Sequence, residues 1–67
     1  MQIKDELKNP VPPKFRIHSE GLSFKEAKEK GEILERAGKG VILYRTRPFG
    51  GSPEHNYGTL YDVYIKD

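Results

Sequence analysis

The spacing of apolar residues along this chain changes period between one segment and the next. From Lys14 to Ser19 it is two: Phe15 and Ile17 fall on one side, Arg16 and His18 on the other, as in a half-buried strand. From residue 24 to 37 it becomes helical. Phe24, Ala27, Gly31 and Leu34 form one stripe, with Ile33 and Ala37 beside it. Val41-Ile-Leu-Tyr44 then opens a run of strand formers reaching Arg47. A last alternation places Thr59, Tyr61, Val63 and Ile65 on one face and Leu60, Asp62, Tyr64 and Lys66 on the other. The predicted order is β-α-β-β, an α+β domain with one helix on a three-stranded sheet.

Local signals mark the boundaries. Ser23-Phe-Lys-Glu26 is a capping box, and Gly38 and Gly40 stop the helix because glycine accepts left-handed backbone at little cost. Gly31 lies within the core-facing stripe, where it costs about 1 kcal/mol against alanine, so close packing of the helix on the sheet is its expected compensation. Asn9-Pro-Val-Pro-Pro13 cannot continue a helix. Residues 1–13 are therefore read as an extended N-terminal arm, with no more than a frayed helical turn in residues 1–8, and residues 14–67 as the domain. A right-handed crossover would set the first two strands parallel. The third strand would run antiparallel to the second, at the edge or between the other two. Which face of strand 41–47 meets the helix stays open, since Val41/Leu43 and Ile42/Tyr44 are both apolar.

Sixty-seven residues make one small domain with a thin stability margin. The chain has no cysteine, which excludes disulfides and thiolate zinc sites and fits a reducing compartment. No apolar run approaches the roughly 20 residues of a membrane span, so a cytoplasmic, soluble protein is expected. The net charge is only +2, and much of the charge pairs at i,i+4 along the helix: Lys25/Glu29, Glu26/Lys30, Lys28/Glu32 and Glu32/Arg36. Such a balance describes a solvated helix face rather than a basic stripe for duplex nucleic acid.

Catalysis finds little support. His18-x-Glu20 and Glu54-His55 are the only histidine–carboxylate neighbours, and no local nucleophile–base set exists. Ala37-Gly-Lys-Gly40 lacks the spacing of a phosphate loop and follows a helix instead of leading into one. The expectation is a protein that is not an enzyme and holds no cofactor or metal.

Two surfaces could bind a partner. Arg45 and Arg47 share a strand face and lead into residues 48–58, where Phe49, His55 and Tyr57 lie. Arginine and aromatics are the composition of interface hot spots, and such a surface suits the acidic surface of another protein. The bland alternative is a solvated hairpin tip. The second surface is the sheet face away from the helix, expected to present Arg16, His18, Tyr64 and Lys66, with Tyr44 if its parity allows. An aromatic and basic platform of this kind suits single-stranded nucleic acid, although tyrosines also simply cover exposed sheets. Self-association is a further expectation for so small a core.

Within residues 23–48, the features are Ser23, Glu26-Ala27, Ala37-Gly38 and Arg45-Thr46-Arg47-Pro48. In these, the segment resembles the helix-to-strand portion of a small bacteriophage inhibitor of bacterial RNA polymerase. The resemblance implies that Arg45 and Arg47 grip an acidic surface of a host protein. It makes a phage or mobile-element regulator the leading expectation.

Overall fold

A computed structural model describes residues 1–6, 8–46 and 60–67. Among these residues four strands, β1 (Gln2–Asp5), β2 (Arg16–Leu22), β3 (Gly40–Arg45) and β4 (Tyr61–Lys66), form one sheet, and one helix, α1 (Phe24–Arg36), packs on it. The class is the expected α+β. The sheet has four strands rather than three, because part of the presumed N-terminal arm pairs with β3.

The helix begins and ends where local chemistry dictates. Ser23 has extended backbone (φ −65°, ψ 162°), and its hydroxyl accepts from the Glu26 amide at 3.2 Å while donating to the Glu26 carboxylate at 3.0 Å. At the other end Lys39 N donates to Leu34 O and Gly38 N to Glu35 O, with Gly38 at φ +87°. This Schellman pattern needs glycine at one position, Gly38. Gly40 is not part of the stop; it opens β3.

Strand order across the sheet is β1-β3-β4-β2. β4 runs antiparallel to both β3 and β2, so it is the expected third strand, lying between the other two. β1 joins β3 in parallel, matching Gln2–Asp5 to Ile42–Arg45 residue for residue. β2 extends further than its alternation implied, through Glu20-Gly21-Leu22. It does so over register breaks between Ile17 and Ser19 and between Ser19 and Leu22, with Gly21 at φ +71° donating its amide to the Asp62 carboxylate at 3.2 Å.

Strand β3 is packed on both of its faces. Ala27 of α1 packs with Val41, Leu43, Val63 and Ile65, flanked by Leu22, Leu34 and Tyr61. Each fully buried aliphatic side chain here contributes about 1.5–3 kcal/mol. Gly31 is buried against the same face: a Cβ there would meet Met1 Sδ at 2.5 Å and Val41 Cγ1 at 3.3 Å. The helix backbone thus lies close on the sheet, as its glycine implied.

The opposite face is not open. Among the described residues β1 and β2 are the two edges, so the chain between them must span three strand spacings, roughly 14 Å. It does so on the side away from α1. Tyr44 donates its hydroxyl to the Pro10 carbonyl at 3.1 Å, and Phe15 lies against Gly40, where a Cβ would stand 3.6 Å from the ring. Ile42 and Tyr44 are buried under this proline-rich connection, which closes with a turn from Pro12 O to Phe15 N. Strand β3 is therefore apolar on both sides because both sides are packed.

Cover on the second face reverses one expectation. Ile17 pairs with Tyr64 and Arg16 with Ile65, so Phe15 and Ile17 belong to the face away from the helix, and Arg16 to the helix side. The alternation itself was legible; its assignment to a face was inverted.

Candidate partner-binding surface

At one end of the sheet, cross-strand pairs line up a single residue from every strand. Asp5 opposes Arg45, Arg45 opposes Tyr61, and Tyr61 opposes Leu22. Directly paired residues share a face, and here it is the helix side, so the row runs Asp5–Arg45–Tyr61–Leu22. Phe24, in the first turn of α1, lies over Tyr61 with ring centroids 5.2 Å apart and planes tilted by 55°. Thr46 closes the ladder just beyond, its amide and hydroxyl both reaching the Leu60 carbonyl at 2.9 and 2.8 Å.

This row is accessible. Phe24 is 44% exposed, and the Arg45 side chain is 53% exposed. Arg45 Nη2 lies 3.7 Å from the Asp5 carboxylate, a long and half-solvated ion pair of about 0–1 kcal/mol. At that distance the planar fork of five N–H groups retains capacity for a second carboxylate. Arg45 thus stands between Asp5 and Tyr61, with Phe24 over Tyr61 and Leu22 beyond it.

Of the residues singled out from the sequence, Arg45 occupies this row, whereas Arg47, Phe49, His55 and Tyr57 lie outside the described residues. Tyr61, Phe24, Leu22 and Asp5 were not recognised as companions of Arg45. Only register joins them, and register between strands this far apart in sequence is not a local signal.

The second candidate set does not form one platform. Tyr44 is 1% exposed and packs edge-on to Tyr64 at 5.1 Å, so no base can stack on it. Arg16 lies at the other end, in a two-pronged ion pair with Asp67 at 2.8 and 3.2 Å that Lys39 joins at 2.8 Å. Hydrogen bonds from Arg16 and then Lys39 hold the Asp67 carboxyl well below the usual range, and the same contact raises the Arg16 pKa. His18 is exposed, its Nδ1 sharing a hydrogen bond with Ser19 Oγ at 2.9 Å. Lys66 is exposed. Tyr64 is half-buried, and burial, followed by the charges of Asp62, Glu6 and Glu20, pushes its phenol pKa up.

Among the described residues no group of three His, Asp or Glu side chains converges as a metal site requires, and no helix is long and apolar enough to cross a membrane. No protein-family model, no curated protein and no solved structure matches this chain.

Proposed function

We propose that the chain is a small protein-binding module that uses the Asp5–Arg45–Tyr61–Leu22 row, with Phe24, to grip an acidic and partly apolar surface of another protein. The observation that carries this reading is the position of Arg45: exposed, beside Asp5, and paired across the sheet with an aromatic that itself packs under an exposed phenylalanine. Arginine and aromatic side chains concentrate binding energy because each offers large contact area in few conformations. A partner carboxylate would take the open side of the guanidinium fork, and apolar partner groups would cover Phe24. The resemblance of residues 23–48 to a phage inhibitor of RNA polymerase directs the search toward bacterial host machinery, with the chain acting there as a regulator or inhibitor.

The test is affinity capture from bacterial lysate, with and without nuclease, comparing wild type with Arg45→Glu. A protein retained after nuclease by wild type and lost by the variant supports the reading. Capture that disappears with nuclease would transfer the role to nucleic acid, and equal capture by both chains would exclude Arg45 from the interface.

A further inference from the structure

The two edges of the sheet are built differently. β2 carries two register breaks, a left-handed glycine, and the charged or polar Arg16, His18 and Glu20. Bulges and charges of this kind keep a further strand from adding to an edge. β1 has no break: it follows β3 one residue for one, and Ile3 on it is 53% exposed.

The backbone phase of β1 follows from one bond. Glu6 N donates to Arg45 O at 3.2 Å. In a parallel ladder alternate residues bond to the neighbour, so Gln2, Lys4 and Glu6 turn their backbone groups toward β3, and Ile3 and Asp5 turn theirs outward. The Asp5 carbonyl agrees with this phase, accepting from Lys8 N and Asn9 N at 3.1 and 3.0 Å rather than from β3. Among the described residues nothing pairs with β1 on its outer side, so Ile3 offers an N–H and a C=O at that edge, next to an exposed apolar side chain.

We propose that β1 of a second copy of this chain occupies this edge, antiparallel, with Ile3 opposite Ile3 of the partner subunit, to make one eight-stranded sheet. A twofold axis normal to the sheet keeps each face on its own side, so only residues of like parity can oppose one another. Centring the axis on Ile3 joins its outward groups in a reciprocal pair of hydrogen bonds and sets Gln2 against the partner's Lys4. Centring on Lys4 would oppose two ammonium groups, and centring on Asp5 two carboxylates, both destabilising. Centring on Gln2 shortens the ladder and leaves Ile3 against the partner's Met1. The charge pattern of Gln2-Ile3-Lys4-Asp5 thus favours one register with itself.

The pairing also leaves room for the helices. α1 packs over β3 and β4, so the two helices would stand four strand spacings apart, about 19 Å, against a helix diameter of about 10–12 Å. Met1 and Ile3 of both copies would line the floor between them. The pairing draws on none of the side chains that carry the Arg45 reading except the neighbouring backbone of Asp5, so either can fail without the other.

The experiment is sedimentation equilibrium with amide hydrogen exchange on the full chain, from about 10 μM to about 1 mM, since mass action favours association as concentration rises. The expected result is a mass that rises toward twice the monomer. The Ile3 amide should become protected in step, while Lys4, already bonded to β3, should not change. Ile3→Lys places two ammonium groups across the axis and is expected to weaken the dimer at least about tenfold. Gln2→Glu, facing the partner's Lys4, is expected to tighten it about threefold, and Gln2→Lys to weaken it by a similar factor. Gln2 is exposed, so these two variants keep the test decisive if Ile3→Lys folds poorly. Monomer at every concentration overturns the proposal. So does a dimer indifferent to Ile3→Lys in a folded chain, or one that responds alike to both Gln2 variants.

Discussion

Removing the Tyr44 ring should unfold most of this protein, and the reason lies in the cover on the second sheet face. Tyr44 is among the largest side chains that are fully buried, at 1% exposure, although it points to the sheet face away from the helix. Its ring meets Tyr64 edge-on at 5.1 Å, and its hydroxyl bonds to the Pro10 carbonyl at 3.1 Å. Tyr44→Phe deletes only that bond and should cost about 0.5–1.5 kcal/mol. Tyr44→Ala deletes the ring as well, for a loss of about 3–5 kcal/mol by analogy with other large aromatic truncations. A domain of this size has a total stability at the low end of about 5–15 kcal/mol, so the alanine variant should be largely unfolded at room temperature. Urea titration followed by far-ultraviolet circular dichroism reads both. The phenylalanine variant should show a midpoint lowered by about 1 M, given a slope near 1 kcal/mol/M. An alanine variant within about 1 kcal/mol of wild type would mean that the ring stands in solvent and that the proline-rich connection does not pack on the sheet.

Three further outcomes follow from particular contacts. Gly31→Ala gains about 1 kcal/mol of helix propensity but must displace Met1 and press on Val41, at 3.3 Å from the new Cβ; a net loss of about 1 kcal/mol in thermal denaturation is expected, and an equal or higher melting temperature would refute the close packing. Gly38→Ala, at φ +87° with open space around it, should lose about 1 kcal/mol from backbone strain alone, so a neutral result would deny the left-handed cap. Tyr64 has its pKa raised in the fold, which favours the neutral phenol: its contribution is whole below the unfolded value of about 10 and is lost as pH rises from there through the folded value. Urea midpoints measured up the alkaline range should therefore fall more steeply for wild type than for Tyr64→Phe, and superimposable profiles would contradict the assignment.

The legible parts of this fold are those whose causes are local. The capping box at Ser23 and the glycine at 38 act within a few residues, and α1 begins and ends beside them. The alternation of β4 placed Tyr61, Val63 and Ile65 on the helix side because Asp62 and Lys66 leave no other arrangement. Periodicity failed where both faces are packed. Val41 to Tyr44 shows no alternation to read, and Phe15 with Ile17, the latter 47% exposed, do not reveal which sheet face they join. What covers the second face of β3 is the proline-rich connection, whose extended backbone reads as an arm until the positions of β1 and β2 at opposite edges require it to cross. β1 itself has one apolar residue, Ile3, and owes its strand to the neighbouring β3 rather than to its own pattern.

The candidate site divides in the same way. Arg45 could be picked out by type and by its place at a strand end, but its neighbours Asp5, Tyr61 and Leu22 come from three other strands. Phe24 was read as part of the helix stripe, and it is the stripe's first position, where the helix overhangs the sheet end and leaves the ring 44% exposed. Residues from one end of a stripe or strand are the ones that pattern alone misassigns to the core.

The most direct test of the Arg45 surface is a calorimetric titration of the captured partner into wild type and into Arg45→Glu, with both chains shown to be folded. Loss of a desolvated, hydrogen-bonded charge costs about 2–5 kcal/mol, so the variant is expected to bind at least about thirtyfold more weakly. Affinity within about twofold of wild type would contradict a binding role for this row.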